Sequence, residues 1–93
     1  MSKFIITYRL NTTNTYHDRY EKMKNYLAKE LSNFIDDKTT ATMYGVSGKK
    51  ATDIAKELIQ EANLIKDDNI LITKIGVKVE WVSRIENGDV KKR

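Results

Sequence analysis

Few residues in this chain have the type and spacing to do chemistry. The stretch Lys3–Asn11, KFIITYRLN, reads as a buried strand, and its exit carries Arg9, a cation at a point where αβ folds often hold a reactive group. His17 is the sole histidine, which excludes a histidine pair for zinc or for two-histidine acid–base work, and near a helix start it reads as a surface residue. Asp36–Asp37 and Asp67–Asp68 are adjacent carboxylates, but both pairs fall in segments read as turns, where Asp is favoured for backbone reasons. No third ligand accompanies either pair, so no metal site is expected. Ser47-Gly48-Lys49-Lys50 puts Ser, Gly and Lys at a helix start. The nucleotide-binding loop GxxxxGK[ST] needs an earlier Gly at the right offset and a hydroxyl after the Lys; here Lys50 follows Lys49, so that motif is absent. A helix N-terminus with Lys49 and Lys50 can still hold a backbone phosphate, although the plainer reading is a capped helix with solvated lysines.

These residues need elements to position them. Tyr16, Tyr20, Met23, Leu27, Leu31 and Phe34 recur at spacings of three and four, an amphipathic helix with Thr15 as N-cap and Arg19, Lys22, Lys29 and Glu30 on the solvent side. Asn33–Val46 reads as a hairpin turning at Asp36-Asp37-Lys38, its second arm rich in β-branched and aromatic residues. Ser47 is placed to cap a helix starting near Lys49, along which Ala51, Ile54, Ala55, Leu58, Ile59 and Ala62 form a regular apolar stripe. Ile70–Ile75 is a continuous apolar run suited to a central strand. Gly76 interrupts it as a bulge or bend, and Val77–Ser83 alternates at period two. The order is an α+β, ferredoxin-like βαββαβ antiparallel sheet, with two helices on one face and an extra C-terminal strand. The domain is expected to span 1–86, with 87–93 as a frayed basic tail.

Composition sets wider bounds. Ninety-three residues form one domain, short enough for pairing with a second copy to help bury surface. The chain has no cysteine, which excludes disulfides and thiolate metal sites. Its apolar runs fall far short of the ~20 residues needed to span a bilayer. The opening MSKFIITYRL has strand-like residues in place of a signal peptide's apolar region, so the expected location is cytoplasmic, with no membrane partner. Half of the formal net charge of +4 comes from the tail, where Lys91, Lys92 and Arg93 outweigh Asp89. The body lacks the dense Lys/Arg stripe of a dedicated nucleic-acid binder, and TKIGVKVE does not match the basic-aromatic consensus of an RNA-recognition sheet. Trp81 reads as an interface or core residue.

Ile5-Ile6-Thr7-Tyr8 with Leu10-Asn11, Tyr20-Glu21, Thr39-Thr40, Asp68-Asn69-Ile70-Leu71-Ile72 and Trp81 together resemble the SinR-like small proteins. Those proteins are related in fold to the small CRISPR-associated nuclease and adaptor family (Cas-two). The resemblance implies a ferredoxin-like homodimer whose terminal strands add to the partner's sheet. One departure bears on activity. The family's first strand ends in a Thr-Tyr-Asp-Leu-Asn pattern, whose Asp in nuclease members is proposed to bind a divalent metal across the dimer axis. Here the residues are Thr7-Tyr8-Arg9-Leu10-Asn11, and a guanidinium cannot ligate a hard cation that needs oxygen donors.

The expected function is therefore a non-catalytic homodimeric binding module without a cofactor. It would contact DNA or RNA through Arg9, Lys49, Lys50, Lys91, Lys92 and Arg93. The dimer is expected to use Val77, Val79, Trp81 and Val82, because the edge at Val77–Ser83 needs covering and a partner strand would cover it. A regulatory factor with a protein partner is the alternative, and a metal-dependent nuclease is disfavoured by Arg9.

Overall fold

A computed structural model describes residues 2–76 and 79–92, giving only the backbone for Val79, Glu80 and Lys92. The elements are β1 (Ser2–Arg9), α1 (Tyr16–Glu30), β2 (Ser32–Asp37), β3 (Thr42–Ser47), α2 (Ala51–Ala62), β4 (Asn69–Ile75), β5 (Val79–Glu86) and β6 (Asp89–Lys92). The strands form one six-stranded antiparallel sheet in the order β2-β3-β1-β4-β5-β6. The first four are the ferredoxin-like βαββαβ set, with β1 at the centre, and β5–β6 extends the sheet beyond β4.

Strand alternation explains where the core sits. Along β1, Phe4, Ile6 and Tyr8 are buried, while Lys3, Thr7 and Arg9 are exposed and Ile5 is half-buried. The buried set joins Met23 and Leu27 of α1, Ile54 and Leu58 of α2, Met43, Ile70, Ile72 and Ile85 in a single core. Both helices cover that face, so the other face of the sheet lies open.

β5 is the extra strand that was expected, and β6 corrects the expected ending. Asn87 and Gly88 do not begin a frayed tail; with φ of 54° and 78° they make the tight turn between β5 and β6. Positive φ at both central residues is the geometry that matches the strands' own twist, and Asn-Gly satisfies it readily. β6 pairs with Ser83–Glu86, and of the Val77–Ser83 edge expected to need a partner it covers Ser83 alone.

Other boundaries moved for identifiable reasons. Helix α1 ends at Glu30; Leu31 is already extended, and Phe34 belongs to β2. Asp36 and Asp37 lie in β2, leaving 38–41 as the turn. Positive φ at Asn33 accompanies a bulge in which the β2–β3 register shifts between Ser32 and Ile35. Ser47 ends β3, and its hydroxyl accepts the Lys49 N–H at 3.0 Å, one turn too early to cap α2, whose N-cap position is Lys50. Thr15 does hold the N-cap position of α1, but its hydroxyl serves Arg19 and no backbone amide of the helix.

Arg19 overturns the solvent-facing role expected of it, and Asp68 does more than serve the backbone of a turn. They form a buried ion pair, 2% and 0% exposed, with Arg19 Nη1 donating to Asp68 Oδ1. Arg19 also donates to the Asn11 carbonyl and the Thr13 and Thr15 hydroxyls, while Asp68 accepts the N–H groups of Asn11 and Ile65. This one pair ties the β1–α1 loop to the segment entering β4. Among the described residues no buried side-chain nitrogen or oxygen lacks a partner, which is what a buried charge pair requires.

Candidate nucleic-acid interface

The open face divides into two halves with different chemistry. Towards the start of β1, Ile5, Val46 and Ile75 are half-buried, and Ile35 and Tyr44 are 59% and 36% exposed. Together they line a depression of about 660 Å³, with Lys3 and Asp37 at its rim. Exposed large apolar side chains gathered in one place mark a contact surface, whereas scattered ones would not.

Towards the end of β1 the face turns charged, with Arg9, Arg84 and Lys91 as its cations and Glu86 and Asp89, two residues along from Arg84 and Lys91, on the same side. Arg9 is exposed where β1 ends, opposite Asn69 of β4. Arg84 of β5 stands opposite Leu71 on the far side of β4, and Lys91 of β6 stands opposite Arg84. Arg9 and Arg84 line the same cavity of about 290 Å³ together with Thr7, Asn69 and Leu71. Neither arginine, nor Lys91, forms an ion pair with any described residue.

The remaining predicted contacts are dispersed. Lys49 is held by Glu57 at 2.6 Å and Glu30 at 3.2 Å, which compensates its charge and raises its pKa, the Glu57 hydrogen bond first. Lys50 is exposed at the start of α2, on the opposite side of the sheet from Arg9. Arg93 and the Lys92 side chain lie outside the described residues. Of the expected dimer residues, Val77 and the Val79 side chain also lie outside them. Trp81 and Val82 project to opposite faces of β5: Val82 is half-buried on the open face. Trp81 is 38% exposed on the helix side and donates its indole N–H to Ser83 Oγ at 3.0 Å. Sequence reasoning overlooked Arg84. The signal available was period-two alternation carried past Ser83 to the Asn-Gly turn.

A second polar cluster lies beneath α1. The Tyr20 hydroxyl donates to Asp36 Oδ2, and the Tyr8 hydroxyl donates to Asp36 Oδ1 at 3.5 Å. The Lys38 ammonium sits 5.6 Å from the centre of the Tyr20 ring. Tyr26, further along α1, donates to Glu57 Oε1 at 2.9 Å. All three phenols titrate above their ordinary 10.0, burial being the first cause in each, with the Asp36 carboxylate adding to it for Tyr8 and Tyr20 and Glu57 for Tyr26. These tyrosines are therefore structural donors, not nucleophiles. A folded pKa above the unfolded one means that the unfolded chain loses its phenolic protons first as pH rises through 10. Stability from these groups is fully present below pH 10 and is lost above it. Urea midpoints measured from pH 8 to 11 should be flat at first and then fall, and Tyr20→Phe should shrink the fall. A flat profile to pH 11 would contradict the assignment.

Among the described residues, no group of three His, Cys, Asp or Glu side chains could hold a metal ion, and no helix is long and apolar enough to cross a membrane. No protein-family model, curated protein or solved structure matches the chain.

Proposed function

We propose that this protein is a non-catalytic binding module that works as a homodimer and contacts nucleic acid through the open face of its sheet. The observation that supports it is the division of that face into an apolar half around Ile35 and Tyr44 and a cationic half around Arg9, Arg84 and Lys91. The apolar half is suited to a second copy, with Val82 at its margin. The cationic half is suited to phosphates, because its charges are not already spent on carboxylates. The resemblance to SinR-like and Cas-two proteins points the same way, and Arg9 in place of their Asp favours binding without metal-dependent cleavage. The exposed apolar half also suits a different partner, a regulatory protein, and that is the second reading.

Each part has its own measurement. Purified protein should shift DNA or RNA in a salt-dependent manner, and Arg9→Ala should lower the slope of log K against log salt by about 1. Total absence of a shift at low salt would remove the nucleic-acid part and leave the protein-partner reading. Cleavage that requires added Mg²⁺ or Mn²⁺ and survives rigorous purification would overturn the non-catalytic part. Light scattering should give a dimer at micromolar concentration, and a monomer there would refute the pairing.

A further inference from the structure

The cleft between Arg9 and Arg84 has a chemistry more specific than general attraction for a polyanion. The two arginines flank β4 on the open face, one paired across from Asn69 and the other across from Leu71. With adjacent strands about 5 Å apart and about 3.4 Å per residue, their Cα atoms lie about 10 Å apart across the sheet and about 7 Å along it. Two arginine side chains can converge from that separation on one small group held over Asn69 and Leu71. The cavity there, about 290 Å³, lies just below the range of roughly 300–1,000 Å³ typical of ligand sites, so it takes a small group and not an extended one. No carboxylate lines it among the described residues. Glu86, two residues from Arg84 and across from Asn69 on the same face, is the nearest carboxylate by register; it does not line the cavity and forms no ion pair with either arginine.

The number of oxygens and the charge of the ligand select among anions. Each guanidinium is a planar fork that binds two oxygens at once. A carboxylate offers two oxygens and one charge and therefore satisfies a single fork. A phosphodiester in the middle of a strand has two unbridged oxygens and one charge, with the same result. A phosphomonoester exposes three oxygens, one of which can accept from both forks, and carries about −1.5 to −2 at neutral pH, enough for both guanidiniums. The Asn69 amide and the Thr7 hydroxyl, at the same cavity, are further polar groups able to meet it.

We infer that the Arg9–Arg84 cleft is a phosphomonoester site, taking the terminal phosphate of a nucleic-acid strand or that of a free mononucleotide. Its strand-end form rests on the nucleic-acid reading above, whereas the cleft's preference for the monoester does not.

The test uses the full chain in nuclear magnetic resonance and binding titrations. Inorganic phosphate should shift the amide signals of Thr7, Asn69 and Arg84, and acetate at equal ionic strength should leave them in place. An oligonucleotide with a 5′-phosphate should bind about tenfold more tightly than the same strand ending in a hydroxyl, as expected for one further charge-assisted contact. Arg84→Gln, at an exposed position, should erase that ratio while leaving the signals of the core unmoved. Equal affinity for the two strands, combined with identical shifts from acetate, overturns the cleft; if both strands bind with strong salt dependence, the nucleic-acid reading stands without it. If phosphate and a 5′-mononucleotide occupy the cleft and no oligonucleotide binds, the cleft is upheld in its mononucleotide form and the nucleic-acid reading fails.

Discussion

Asp68→Ala should cost about 3–5 kcal/mol, the expected penalty for removing one partner of a buried ion pair and leaving the other charged in the interior. A small domain holds a total of about 5–15 kcal/mol, so the variant should be close to unfolded at room temperature. The large effect follows from Arg19 remaining at 2% exposure without a counter-charge, and from the Asn11 and Ile65 amides losing their acceptor. Urea unfolding followed by circular dichroism measures it. Asp68→Asn is a sharper probe, because it preserves shape and an acceptor while deleting the charge. It should fall between wild type and Asp68→Ala. A double replacement, Arg19→Met with Asp68→Leu, should be less damaging than Asp68→Ala alone, since no unpaired charge remains. If Asp68→Ala is within about 1 kcal/mol of wild type, the pair does not hold the loop to the strand.

Gly45→Ala should destabilise by about 3 kcal/mol although it adds one methyl group. A Cβ at position 45 would stand 2.4 Å from Leu31 Cβ and 2.9 Å from Leu31 Cδ1. Leu31 is buried at the joint where α1 gives way to β2, and it lies directly on the backbone of β3. Truncating the neighbour should not rescue the variant, because Leu31→Ala keeps the Cβ that makes the closest approach. Gly48→Ala provides the control. Its Cβ meets nothing within 4 Å, and its midpoint should stay within about 0.5 kcal/mol of wild type.

The two glycines look alike in the sequence, and only the tertiary contact separates them. This is the general form of what could be read in advance. Periodicity located α2 and β4 almost to the residue, because Ile54, Leu58, Ile70 and Ile72 each face one core and nothing competes for them. It overran at α1, where Leu31 and Phe34 continue the helical spacing but belong to the joint, where Leu31 is buried, and to β2, where Phe34 packs half-buried against the core. Arg19 reads as a solvent-side residue of α1 and Asp68 as a turn residue. The partner that allows each to be buried lies 49 positions away, and local pattern carries no record of it. The candidate interface was half legible. Arg9 stood out as a cation ending a strand. Lys49 looks equally free in the sequence, but Glu30 and Glu57 hold it, and Arg84 joins Arg9 on the open face only through the β4–β5 pairing.

The bulge at Asn33 has a bearing on how copies of this chain meet in a crowded solution. β2 is an outermost strand of the sheet, and an outermost strand with a regular backbone is a template on which another chain can crystallise its own strand. Here the left-handed turn at Asn33 breaks the row of free amides and carbonyls, and Asp36 and Asp37 follow it. An incoming strand would lose hydrogen-bond register at the first and charge neutrality at the second. Endless side-by-side growth from β2 is thereby disfavoured.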